Sequence, residues 1–173
     1  MTSRITWIAV ATATAAAPSF AATYLTMEQA QQAIFPGARL QEKTVRLSPE
    51  QRAAIARASG VKVRVPELKV WSAPDGGWFL VDEVIGKHEF ITYALGLDRD
   101  GAIVGLEVMD YRENYGSDVR RAGWRTQFTG KKYGAKLKLT EDIKNISGAT
   151  LSCLHITEGI RRLLATHELV LKK

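Results

Sequence analysis

The stretch FITYALGLDRDGAIVGLEVM, residues 90–109, decides the fold. Phe90–Leu97 and Ala102–Met109 are rich in β-branched, aromatic and other apolar residues, and Asp98-Arg99-Asp100-Gly101 between them has the composition of a tight turn. Together they read as an antiparallel hairpin. Working backwards, Gly86-Lys87 and Pro74-Asp75-Gly76-Gly77 punctuate the same pattern, so Leu68–Tyr111 reads as a four-stranded meander.

Before the meander, Thr26 with Gln29, and Ser48 with Gln51, are helix-opening pairs. They predict a helix from Met27 to about Phe35, stopped by Pro36-Gly37, and a second over Pro49–Ala58, closed by Gly60, with a strand in Arg39–Leu47 between them. After Tyr111 the pattern loosens as far as Lys136, with a short helix around Ala122–Phe128. The final element runs from Ser147 to about Thr166. Its apolar residues Cys153, Ile156, Ile160, Leu163 and Leu164 fall on one helical face, opposite His155, Glu158, Arg161 and Arg162. Strands and helices are segregated, so the class is α+β: a small antiparallel sheet with helices packed against it.

The first residues carry Arg4 and no acid, then an apolar run from Ile5 to Ala17 and a small-residue site at Ser19-Phe20-Ala21. This reads as a secretory signal peptide over residues 1–21, because the run is shorter than the ~20 residues a bilayer crossing needs. The expected layout is then a helix-and-strand segment over 22–66 and a main domain over 67–173, in the periplasm. Cys153 is the only cysteine, so no intramolecular disulfide forms, and its place on the apolar stripe makes it a core residue. The scattered His88, His155 and His167 give no metal pattern.

Lys and Arg exceed Asp and Glu by 24 to 18, a net charge of +6. The excess concentrates between Val119 and Thr140, where no acid occurs and Arg120, Arg121, Arg125, Lys131, Lys132, Lys136 and Lys138 interleave with aromatic residues. Export argues against nucleic acid as the partner. A solvated basic face, an anionic partner, a bound phosphate or a membrane surface contacted through Arg120–Lys138 stay open.

The chemistry-bearing candidate is Ser147-Gly148-Ala149-Thr150 followed by Ser152. Ser147 reads as a helix cap, Gly148 and Ala149 as residues leaving room beside the backbone, and free amides there favour an anion. A phosphate on Thr150 would sit in the first helical turn, at the positive end of the helix dipole. Further upstream, Leu97-Asp98-Arg99-Asp100-Gly101-Ala102-Ile103-Val104-Gly105 is followed by Glu113-Asn114-Tyr115-Gly116, and then by Trp124, Gln127, Phe128, Gly130 and Lys131.

In order and approximate spacing these segments resemble the FMN-binding domain family, whose hairpin, following E-x-x-G loop, W-x-x-Q-F-x-G-K segment and terminal S-G-A-T they match from about Gly77 to Leu164. That family includes FMN-bearing subunits of the Rnf complex and of the sodium-translocating NADH:quinone oxidoreductase. The resemblance implies FMN as cofactor, joined through its phosphate to Thr150 by a separate flavin transferase. Ser147, Gly148, Ala149 and Ser152 would line the phosphate, and Glu113, Tyr115 and Gly116 would approach the flavin from the facing loop. Trp124 or Tyr115 would pack on the ring. It further implies an electron carrier, rather than a stand-alone enzyme, working between membrane or periplasmic redox proteins. A flavin-dependent reductase and a non-redox basic binding module are the alternatives. The family's motif commonly has an aspartate six or seven residues before the threonine; this chain has Lys144 and Ile143 there, and Asp142 one place further out.

Overall fold

The structure is a computed structural model that describes residues 22–113 and 115–172; the expected signal peptide lies outside them. Six strands form one antiparallel sheet in the order β1-β6-β5-β4-β3-β2. They are β1 Ala22–Thr23, β2 Gln41–Arg46, β3 Glu67–Ser72, β4 Trp78–Ile85, β5 Phe90–Leu97 and β6 Ile103–Tyr111. The four-stranded meander is present, and β2 extends it by pairing with β3 from Gln41↔Ser72 to Arg46↔Glu67. The segment 22–66 therefore supplies both outer strands of the same sheet as well as two helices.

Both helix-opening pairs form capping boxes. Helix α1 (Met27–Ile34) starts on Thr26, and helix α2 (Pro49–Ser59) starts on Ser48 and ends on Gly60 in the left-handed conformation. A short helix α3 (Ala122–Arg125) runs into a 3-10 turn, Thr126–Phe128. The long helix α4 spans Thr150–Thr166 and continues as a π-helical turn, His167–Leu171.

Alternation along the strands divides the core. On β5, Ile91, Tyr93, Leu95 and Leu97 join Leu80, Leu106 and Val108 in a cluster with Cys153, Ile156, Ile160, Leu163 and Leu164 of α4. The opposite face, with Phe79, Ala94 and Met109, packs on Ala30 and Ile34 of α1. Gly96 lies under Ile34, where a Cβ would overlap the isoleucine Cγ2. Beyond α4, Ile55 of α2 meets Ala165, Leu47 and Val63. Helix α4 is thus sandwiched between sheet and α2, so its polar flank is also partly covered, which a simple two-sided helical wheel does not anticipate. Cys153 is fully buried, as its position on the stripe predicts, and burial pushes its thiol pKa up.

One polar cluster sets how closely α4 approaches the sheet. The Tyr93 hydroxyl donates to Asp82 Oδ2 at 2.7 Å, and Arg162 Nη2 donates to the same oxygen at 2.5 Å. Burial first, and Asp82 beside it, push the Tyr93 pKa well up, so the phenol stays a neutral donor. Directly above the hydroxyl sits Gly159, where an added Cβ would overlap the Tyr93 oxygen. Gly159→Ala should therefore destabilise the protein by about 1–2 kcal/mol, as overpacking outweighs the ~1 kcal/mol gain in helix propensity. Urea denaturation checks this, and adding Tyr93→Phe should recover part of the loss.

Candidate functional site

Where α4 begins, a cleft of about 410 Å³ opens between three segments. Its walls are Gly148 to Ser152 at the helix start, Glu113 and Tyr115 after β6, and Lys87 and His88 in the β4–β5 turn. The expected residues Gly148, Ala149, Thr150, Ser152, Glu113 and Tyr115 are thus brought together. Lys87, His88 and Leu151 are additions; a hairpin turn so far back in the chain gives no sequence signal of joining the motif.

The helix start is built differently from the sequence reading. Ser147 does not cap α4; it is exposed and outside the cleft, and the N-cap position is Ala149, with no side chain capping the first turn. Gly148, with a φ of +81°, turns the chain between Ser147 and the N-cap position, which lies two residues further on. Its role is that left-handed conformation, which disfavours a side chain, and the space beside it is incidental, since a Cβ there would meet nothing within 4 Å. An uncapped first turn leaves amide donors at the positive end of a 17-residue helix. Thr150, its first residue, is exposed, and its Oγ1 accepts a hydrogen bond from Asn145 Nδ2 at 3.0 Å.

Ser152 faces inward. It is 4% exposed, and its Oγ lies 3.0 Å from the Tyr111 hydroxyl, which also donates to the Tyr115 carbonyl at 2.5 Å. Ser152 therefore ties α4 to the β6 end more than it offers itself to a phosphate. Gly116, also with a positive φ of +89°, lies against this knot: a Cβ would come 2.7 Å from the Tyr111 oxygen and 2.9 Å from Ala149 Cβ. It permits the close approach of loop and helix without lining the cleft.

Glu113 is a clamp. Its Oε1 accepts from the His88 amide at 2.5 Å and the Glu89 amide at 3.0 Å, fixing the turn that carries Lys87 and His88. On the other side of that turn, His155 Nδ1 of α4 lies 2.5 Å from the Ile85 carbonyl oxygen. Tyr115, in contrast, is 83% exposed and free to cover a ligand. Trp124 is not: it is 5% exposed, packed edge-on to Phe128 at 5.1 Å, and too deep to reach a ring in the cleft.

The W-x-x-Q-F-x-G-K residues act at one remove. Trp124 Nε1 donates to the Lys144 carbonyl at 2.8 Å, Gln127 Oε1 accepts from the Lys144 amide at 2.8 Å, and Lys131 Nζ reaches Asp142 Oδ2 at 2.9 Å. Asp142 also accepts from the Leu137 and Lys138 amides at 3.1 and 2.7 Å. Burial raises its pKa, but these donors outweigh that and hold it below the ordinary value. All three motif side chains therefore grip the loop that delivers Ser147 to Thr150.

The basic stretch is largely neutralised by acids outside its sequence range. Arg121 pairs with Asp118, Arg125 with Glu107, Lys136 and Lys138 with Glu141, while Arg120 lies over the Tyr24 ring at 3.6 Å. Within Arg120–Lys138, Lys132 is the one cation with neither an ionic nor a cation–π partner among the described residues. Among the described residues no helix is long and apolar enough to cross a membrane.

Residues 86–165 match the FMN-binding domain family, a span that contains the cleft and all of α4 except Thr166. Among solved structures the chain is similar to a component of the Na(+)-translocating NADH-quinone reductase from Parabacteroides distasonis, with 14% identity, 87% of each chain covered and a TM-score of 0.58. It is also similar to NqrC of Shewanella oneidensis, with 16% identity, 75% of this chain and 80% of that one covered, and a TM-score of 0.53. At such identities the likeness is one of fold. No curated protein matches the chain significantly.

The Glu113 clamp has a pH signature. Burial raises its pKa, but the amides of Glu89, His88 and Lys87 outweigh it and hold the value below that of a free glutamate. A depressed folded pKa contributes stability above the unfolded value and loses it as pH falls through the folded one. Amide-exchange protection at His88 and Glu89 should therefore drop on acidification below the ordinary glutamate range, and Glu113→Gln, which still offers a carbonyl oxygen, should flatten that dependence.

Proposed function

We propose that this chain, whose residues 86–165 form an FMN-binding domain with FMN as its cofactor, is an exported electron carrier holding FMN by a phosphoester to Thr150 Oγ1. The observation that carries the reading is the position of Thr150: an exposed hydroxyl on the first residue of an uncapped helix, opening onto a cleft within the ~300–1,000 Å³ range of small-molecule sites.

The residues present fit that group. Asn145 Nδ2 orients the Thr150 oxygen, and the first-turn amides of α4 meet a phosphate with partial positive charge. Lys87, across the cleft, adds a full one. Tyr115 and Leu151 are both exposed and offer apolar surface to a ring. Bound FMN supplies one- and two-electron redox chemistry. The protein contributes attachment and an open rim, which suits exchange with another redox centre better than enclosure of a small substrate. Maturation would need a flavin transferase, and the partners would be membrane or periplasmic redox proteins. The N-terminal signal pattern supports export.

Co-production with a flavin transferase in the exported compartment tests this. The expected result is a band fluorescent under ultraviolet light after denaturing electrophoresis, a mass raised by FMN less water, and loss of both in Thr150→Ala. A wild-type band that stays dark, with the mass of the bare polypeptide, would rule out the ester under those conditions.

A further inference from the structure

From Gln51 to Pro66 the chain contains Arg52, Arg57, Lys62 and Arg64 and no acid, and among the described residues none of the four is in a salt bridge. The fold sets this run against the flank of α4. Two depressions flank Gly60, and both are lined by it. One, of about 260 Å³, is lined by Lys62, Arg64 and Arg162 and also by Glu83 and Glu158, and runs towards Ile85 and His155. The other, of about 380 Å³, is lined by Lys132, Tyr133, Lys136 and Arg161, with no acid in its lining.

The carboxylates that line or border the grooves are engaged, and Arg162 is itself paired with Asp82. Glu158 faces Arg161 at 3.6 Å, Glu83 accepts from Thr92 at 3.2 Å, and Glu141 holds Lys136. Among the described residues, Lys62, Arg64 and Lys132 are exposed cations without an ionic partner, and Arg161 keeps a buried Nε with no acceptor.

We propose that these two grooves form one docking surface for an acidic polypeptide segment of a partner protein. Charge complementarity selects an anionic occupant. Concavity and a shortage of projecting apolar groups favour a polypeptide over a bilayer. A membrane-surface element inserts a row of apolar side chains, and here Tyr133 and Ile85, 44% and 36% exposed, are the only large exposed ones lining the grooves. The surface continues towards the cofactor cleft. His155, which lines the first groove, also holds the Ile85–Gly86 end of the turn that carries Lys87. Along α4, Arg161 lies about 17 Å from Thr150 at ~1.5 Å per residue. An acidic redox partner seated there would be placed beside the flavin. This last role rests on the proposed function above, whereas the binding itself does not.

Fluorescence anisotropy with a fluorescein-labelled oligoglutamate, on the protein with and without FMN, tests the surface. Binding should weaken with salt. The variant Lys62→Glu/Arg64→Glu/Lys132→Glu should bind at least about tenfold more weakly, while Arg39→Glu/Lys43→Glu/Arg99→Glu, with the same change in net charge, stays within about twofold. If the triple groove variant does not fold, Arg64→Glu and Lys132→Glu singly should each show part of the loss. Equal weakening in both triple variants, or no binding of the wild type, would overturn the proposal. So would unchanged oligoglutamate binding in a groove variant that no longer sediments with phosphatidylglycerol vesicles, because the surface would then serve lipid. Reading the FMN-free form separates these outcomes from any failure of flavin attachment.

Discussion

The seating of α4 on β5 is the constraint on which the rest depends. Gly159 lets the helix backbone descend onto the Tyr93 hydroxyl, and Asp82 then joins that hydroxyl to Arg162 in a partly buried ion pair. Such a pair is weak evidence for net stability, because desolvation offsets the attraction, but it tolerates little displacement. With α2 closing the other side, α4 has one position. Its first residue, and whatever is attached there, is therefore fixed relative to the sheet.

The loop before α4 needs separate restraint, because nothing in the helix dictates how the chain enters it. Leu137 and Thr140 adopt positive φ values of 42° and 66°, which neither residue favours. Asp142 offsets that cost with two backbone amides and the Lys131 ammonium. Trp124 and Gln127 then take the two backbone groups of Lys144. At the helix start, Ser152 and Tyr111 lock the facing loop through the Tyr115 carbonyl. Burial is the main influence raising the Tyr111 pKa, so this phenol also stays a neutral donor. Apart from Ser152, the groups that hold this loop and the helix start lie outside the cleft wall.

Local signals are legible in the sequence and distant partners are not. The hairpin of residues 90–109, the rest of the meander and both capping boxes depend on neighbours in sequence, and each appears where its turn or cap residues put it. Of the expected site residues, Ser147, Gly116 and Trp124 lie outside the cleft wall and the others line it. Ser147 fails as a cap because the chain turns at Gly148 before the N-cap position, which spacing does not reveal. Trp124 resembles a ring platform because a buried tryptophan and an exposed one look alike until the acceptor of its N–H, the Lys144 carbonyl, is known. Lys87 and His88 enter the site through a turn held by the carboxylate of Glu113 and by His155, both distant in sequence.

Charge misleads for the same reason. The run of cations between Val119 and Thr140 looks like a free face, yet its acids either flank it closely, as Asp118, Glu141 and Asp142 do, or come from a neighbouring strand, as Glu107 does. In the quieter run from Arg52 to Arg64 no cation is in a salt bridge among the described residues, although Glu83 and Glu158 line the same depression as Lys62 and Arg64. What distinguishes the two is topology. Residues 119–140 run along β6 from Ile103 to Glu107 and fold back on themselves, so cations and acids meet; α2 and the segment after it lie outside α4, where cations of α4 and of the 132–136 loop outnumber the carboxylates Glu83 and Glu158. One helix therefore carries both features of interest, an anion-favouring N-terminus and a basic flank, and its rigid seating fixes the distance between them.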